Sequence, residues 1–120
     1  MRILLADDQE PVRRALRLLL EQETHLEIGC EVAEAAGLRA AIMRYAPDII
    51  LLDWELPGLN VSDLLPLSTV NGRRPIMIAM SSHPEAQQAA LDAGVAACIN
   101  KGRPAADVLR AIRDALGREV

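Results

Sequence analysis

The chain has no Phe, one Tyr (Tyr45) and one Trp (Trp54) in 120 residues. A core must therefore be packed from Leu, Ile, Val, Ala and Met. Nucleic-acid binding through stacked aromatics is also excluded. The formal net charge of −4 argues against broad contact with a phosphate backbone. Two cysteines, Cys30 and Cys98, form no CxxC pair, and with His25 and His83 they lack zinc-ligand spacing. Both are expected to be core or near-core thiols. No apolar run is long. Met1-Arg2-Ile3-Leu4-Leu5-Ala6 stops at Asp7, too short for a signal peptide or a membrane span. The expectation is a cytoplasmic protein with no membrane contact. Linkers, repeats and low-complexity segments are missing as well, so residues 1–120 read as one domain. Lysine is nearly absent: of thirteen basic residues, only Lys101 is not Arg.

What is present is an alternation of short apolar runs with segments of helical period. Ile3–Ala6, Leu26–Val32, Ile49–Leu52, Ile76–Met80 and Val95–Ile99 read as strands. The second alternates like a half-exposed strand, whereas the third and fourth read as buried. Between them fall helical spacings. Val12, Leu16, Leu19 and Leu20 follow Pro11, which suits a first helical turn. Leu38, Ala41, Ile42 and Tyr45 precede Pro47, which ends their helix. A weaker helix lies around Val61, Leu64, Leu65 and Ser68, with Pro66 inside it. Residues 85–93 form an Ala-rich helix closed by Gly94. Val108, Leu109, Ile112 and Leu116 make the last, expected to end at Gly117. Five strands and five helices in strict alternation predict an α/β fold, a doubly wound parallel sheet covered on both faces.

Ligands of such sheets bind beyond the carboxyl ends of the strands. The residues found there are Asp7 and Asp8 after the first strand, and Asp53 with Glu55 after the third. Ser81 and Ser82 follow the fourth strand, and Lys101 the fifth. Neighbouring strands lie ~4.8 Å apart, so three acids at two adjacent ends would repel by roughly 1–4 kcal/mol per pair. A cation must offset that cost. Hard oxygen ligands suit Mg²⁺, and an ammonium suits a phosphate oxygen. A carboxylate nucleophile, a divalent metal, a hydroxyl and an ammonium are the parts phosphoryl transfer requires. Taken singly, each residue has a plainer reading. Asp7-Asp8 could sit at a helix N-cap, Ser81-Ser82 could cap the next helix, and Lys101 could be a surface charge.

Taken together, Asp7-Asp8, the run Leu51-Leu52-Asp53-Trp54-Glu55-Leu56-Pro57-Gly58, Ser81 and Lys101 resemble the receiver domain of two-component response regulators. The resemblance covers the whole chain. It implies a five-stranded, flavodoxin-like (βα)5 sheet of order 2-1-3-4-5. It also implies that Asp53 accepts a phosphoryl group in a phosphorelay. Asp8 matches a direct Mg²⁺ ligand, and Asp7 the acid holding a metal-bound water. Asp53 also touches the metal, and Glu55 would offer its backbone carbonyl. Ser81 matches the switch hydroxyl and Lys101 the phosphate-pairing lysine. The donor would be a sensor histidine kinase or a small phosphodonor. Phosphorylation would reshape the face made by the fourth helix, fifth strand and fifth helix, through which a homodimer could form. The domain would be no enzyme beyond its own phosphotransfer and dephosphorylation. DNA would be reached only through a C-terminal domain outside this chain.

The pattern departs from the family at several places. Cys98 stands where many receivers carry a rotating aromatic. Val61 replaces a frequent Gly, and Gly102 replaces a frequent Pro. The loop after Ser81-Ser82, His83-Pro84-Glu85, is short. Cys98 and Val61 keep open an alternative, a pseudo-receiver that binds proteins without phosphorylation. A phosphatase of the haloacid dehalogenase type fits poorly, since its nucleophile follows the first strand in a DxD pattern. His83 is expected to be an exposed loop residue, Trp54 to line the pocket rim, and Arg13-Arg14-Arg17 to be a solvated helix face.

Overall fold

The computed structural model describes residues 1–60 and 75–118. Five strands form one sheet: β1 (Arg2–Ala6), β2 (Glu27–Val32), β3 (Ile49–Asp53), β4 (Ile76–Ser81) and β5 (Ala97–Asn100). All pairs are parallel and the order is β2-β1-β3-β4-β5, as the resemblance implied. Helices α1 (Glu10–Leu20), α2 (Leu38–Tyr45), α3 (Ala86–Asp92) and α4 (Ala106–Arg118) pack around it. The helix expected around Val61 to Ser68 lies outside the described residues, as does the departure at Val61. So α3 and α4 are the fourth and fifth helices expected from the sequence.

The period of two along each strand splits the core into two layers. Ile3, Leu5, Ile49, Leu51, Ile78 and Met80 face α1 and α4, where they meet Leu16, Leu20, Val108 and Ile112. Leu4, Ala6, Ile50 and Leu52 face α2, where they meet Leu38 and Ile42. A smaller cluster, Ala79, Ala90 and Val95, sits under α3. β3 is buried along its whole length, as a central strand covered on both faces should be. The expectation that β4 is buried holds from Ile78 onward, since Ile76 and Met77 are partly exposed.

Several boundaries shift. Gly117 does not end the last helix, which continues through it to Arg118. With nothing but solvent within 4 Å of where its Cβ would be, Gly117 tolerates helical geometry and costs only entropy. The fifth strand begins at Ala97 rather than Val95, because Gly94 turns the chain at φ 101° and the Val95 N–H bonds back to the Ala90 carbonyl of α3. The second helix ends as expected before Pro47. There Ala46 takes the left-handed φ of 51° and its N–H reaches the Ile42 carbonyl.

β2 carries an irregularity that periodicity could not disclose. Ile3 pairs with Ile28 and Leu4 with Cys30, so Gly29 is the extra residue of a bulge. A Cβ at Gly29 would lie 2.4 Å from Tyr45 Oη. Tyr45 is held there by Arg2, whose guanidinium stacks 4.2 Å from the ring centroid.

Candidate functional site

Sheet register brings the strand ends together. Ala6 pairs with Leu52, so Asp7 and Asp53 leave neighbouring strands at the same height. The ladder runs on past the strands. The Asp7 N–H reaches the Val32 carbonyl at 3.0 Å, Trp54 reaches Met80 at 2.7 Å, and Lys101 reaches Ser81 at 2.8 Å. These bonds fix the backbone from which Asp7, Asp53, Ser81 and Lys101 project.

Asp7, Asp53 and Ser81 are the buried polar residues among those described, at 0%, 1% and 2% exposure. Lys101 Nζ lies 2.8 Å from Asp7 Oδ2 and 3.2 Å from Asp53 Oδ1. Burial of two like charges is thus offset by the ammonium of the chain's one lysine. Burial pushes the Asp53 carboxyl above its ordinary pKa. The Glu55 N–H, donating to Asp53 Oδ1 at 2.9 Å, pulls it down, Asp7 pushes it up and Lys101 pulls it down; the net shift is upward. Burial alone would lower the Lys101 pKa, but Asp7 and then Asp53 outweigh it, and the ammonium ends above its ordinary value.

The carboxylates of Asp7, Asp8 and Asp53 can place one oxygen each within 4.8 Å of the others. Asp8 is exposed while the other two are buried. Asp7 Oδ1 accepts from the Gln9 N–H at 2.8 Å, but the N-cap of α1 is Gln9 and no side chain caps the helix, so the plainer reading of Asp7-Asp8 as an N-cap does not hold. Its Oδ2 is buried and accepts no aligned hydrogen bond; Lys101 meets it as a charge only. An acid triad with a spare buried oxygen suits a hard divalent cation. Glu55 does not join this triad through its side chain.

The Glu55 carboxylate turns the other way. Ser81 Oγ donates to Glu55 Oε2 at 2.6 Å, and the Ser82 N–H donates to Oε1 at 2.8 Å. Ser81 Oγ also accepts from the His83 N–H at 3.0 Å. The serines therefore do not cap the next helix; Glu55 organises them instead. Sequence reading missed this role, because nothing in the spacing of Glu55 tells its backbone carbonyl from its carboxylate.

Arg13-Arg14-Arg17 is not the solvated face expected. Arg13 Nε and Arg17 Nη1 both contact the Glu31 carboxylate of β2, at 3.1 and 2.5 Å. Arg13 Nη1 also donates to the Asp7 carbonyl at 2.5 Å. Only Arg14 is mainly solvated, pairing with Glu10 one turn earlier. The missed signal was Glu31, an acid on an edge strand opposite two Arg one turn apart.

Cys30 and Cys98 are free and half-buried against the two clusters on the α2 and α3 side, as expected. Burial, and after it the charge of Glu55, pushes the Cys98 thiol up, so it is a poor nucleophile. Trp54 is half-buried between those clusters, beside Asp53. His83 is exposed, with Nδ1 3.7 Å from Glu85. No helix among the described residues is long and apolar enough to cross a membrane.

Comparison with known proteins agrees with this geometry. The family model of the response regulator receiver domain matches residues 3–113. A protein-glutamate methylesterase/protein-glutamine glutaminase of Rhizobium johnstonii is 32% identical over 116 residues, 94% of this chain and 33% of its own length. The transcriptional activator DevR/DosR of Mycobacterium tuberculosis is 29% identical, over 95% of this chain and 54% of its own length. This chain thus spans about a third to a half of such curated relatives. Among solved structures, a LuxR-family response regulator from Aurantimonas sp. superposes with a TM-score of 0.83 at 26% identity, over 97% of this chain and 84% of that one. The receiver domain of NarL from Mycobacterium tuberculosis superposes at 0.81 with 22% identity, over 97% and 98%. The chain belongs to the receiver domains of two-component response regulators.

Proposed function

We propose that the chain is a phosphoacceptor switch that carries a phosphoryl group on Asp53. One observation carries this reading: a buried carboxylate at the end of the central strand, 3.2 Å from the ammonium of the chain's one lysine and grouped with two further acids. In the transfer, an Asp53 oxygen attacks phosphorus and an O–P bond forms. The P–N bond to the imidazole of a kinase phosphohistidine breaks, and its electron pair leaves with the imidazole. A small acyl phosphate would lose its carboxylate in the same way.

Asp7, Asp8, Asp53 and the Glu55 carbonyl would hold Mg²⁺, which supplies charge neutralisation for the phosphoryl oxygens when bound. Lys101 moves with the charge, from two carboxylates to a phosphoryl oxygen. Ser81 donates its hydroxyl to another. Both sit at the ends of β4 and β5, so their displacement is passed to the surface of α3, β5 and α4. That surface would meet a partner or a second copy of the chain. Residues 1–120 would act as one receiver module. Output through a methylesterase or DNA-binding domain, as the names of the relatives suggest, would belong to a separate unit.

The test is phosphorylation by a small phosphodonor followed by mass spectrometry. A gain of one phosphoryl group that needs Mg²⁺ and disappears in Asp53→Asn is expected. Labelling that survives the substitution would overturn the assignment. Trp54 fluorescence should respond to millimolar Mg²⁺; a flat titration would favour a pseudo-receiver.

A further inference from the structure

The Ser81 hydroxyl has one proton, and in this structure that proton is already committed. Ser81 Oγ lies 2.6 Å from Glu55 Oε2 and 3.2 Å from the His83 carbonyl. The shorter contact ends on a carboxylate, and charge-assisted O–H···O⁻ bonds are the stronger kind. The second oxygen of the same carboxylate takes the Ser82 N–H at 2.8 Å. Glu55 thus grips two successive groups at the end of β4 with both its oxygens. Its own main chain is fixed to the nucleophile, since the Glu55 N–H donates to Asp53 Oδ1 at 2.9 Å.

We propose that Glu55 is a positioning residue that holds Ser81 in the unphosphorylated arrangement, competing with the phosphoryl group for the Ser81 proton. This rests on the phosphoacceptor reading of Asp53. A phosphoryl oxygen can receive the Ser81 hydroxyl only after Glu55 gives it up, because one O–H donates one strong bond. The exchange also removes a carboxylate from beside the incoming dianion. Glu55 therefore stabilises the resting state and is released by phosphorylation, so its loss should shift the equilibrium toward the active state. With Ser82 bound by the same carboxylate, release would free the start of the loop that leads to α3. The device belongs to this chain's particular pairing of Glu55 with Ser81 and Ser82. Lys101 and the acid triad would work without it.

Two measurements test the proposal. In metal-free protein, amide exchange at Ser82 should quicken about tenfold in Glu55→Ala, the loss of one charge-assisted bond. Unchanged exchange would overturn the grip itself, whatever Asp53 does. The second titrates beryllofluoride with Mg²⁺, read by Trp54 fluorescence. Glu55→Ala keeps the backbone carbonyl and should bind this phosphoryl mimic about tenfold more tightly than wild type. In a Ser81→Ala background the gain should shrink to about twofold or less, since no hydroxyl is left to hold. An equal gain with and without Ser81 would mean charge repulsion alone and would overturn the competition, as would no gain at all. Failure of the wild type to bind beryllofluoride would instead overturn the phosphoacceptor reading, and the competition with it.

Discussion

At the scale of single residues, Lys101 decides whether the site can exist without metal. Among the described residues it is the cation paired with both of two carboxylates that are almost wholly buried. Removing one partner of such a cluster typically costs about 3–5 kcal/mol. In chelator, Lys101→Met should therefore lose roughly 3 kcal/mol of unfolding free energy at pH 7. Added Mg²⁺ should return much of it, as a denaturant titration will show. The pH dependence of the metal-free wild type follows from the same contacts. Asp53 has a folded pKa above 3.8, so over the interval above 3.8 the native state holds more protons than the unfolded chain. Stability should fall as pH rises through that interval. The Lys101 pKa is raised above 10.5, so its contribution is complete below 10.5 and is lost as pH climbs through the folded value. Lys101→Met should lack this alkaline loss. These residues were legible in the sequence because Asp53 directly follows an apolar run and Lys101 follows one after a single residue, Asn100. The Glu55 grip and the Arg13 bond to the Asp7 carbonyl were not. They depend on which of several acids and guanidinia meet in space, and chain spacing carries no record of that.

At the scale of elements, the strands were readable wherever burial was two-sided and the apolar run unbroken, as in Ile49–Leu52. Edges were harder. β2 alternates as expected, yet its register against β1 slips at Gly29. At the slip, Tyr45 of α2 packs on the bare backbone of Gly29. A turn-forming role is the ordinary guess for a glycine; this one is needed for room. Gly29→Ala should destabilise the domain by about 1–3 kcal/mol, the usual cost of overpacking. Thermal or denaturant melts will show whether the cost is steric. With Tyr45→Ala already in place, adding Gly29→Ala should cost less than about 0.5 kcal/mol, because the coupling between touching residues is gone. An undiminished cost would place the strain in the bulge backbone rather than in the contact. The end of α4 was misjudged for the opposite reason. Gly117 has the look of a stop, but the apolar stripe of Val108, Ile112 and Ala115 secures the helix against the sheet.

At the scale of the whole molecule, the site is a consequence of strand order. With β1, β3, β4 and β5 as successive neighbours, four chain segments far apart in sequence end at one edge. The sheet that places them is stabilised by apolar layers on both faces. The charge cluster at its edge opposes folding until a cation settles there. Ligand binding should therefore register as global stability. A domain whose native state alone binds Mg²⁺ gains about 2.7 kcal/mol at a hundredfold excess over Kd. For 120 residues this corresponds to a rise in Tm of roughly 10 °C. The increment should vanish in Asp8→Asn, which alters an exposed side chain and leaves the apolar layers intact. Its metal-free Tm should match that of the wild type within about 2 °C, as an exposed substitution away from the core allows. Equal Mg²⁺ shifts in the two proteins would mean that the cation acts elsewhere on the acidic surface. The acids at the strand ends would then be paired with Lys101 and not with the metal.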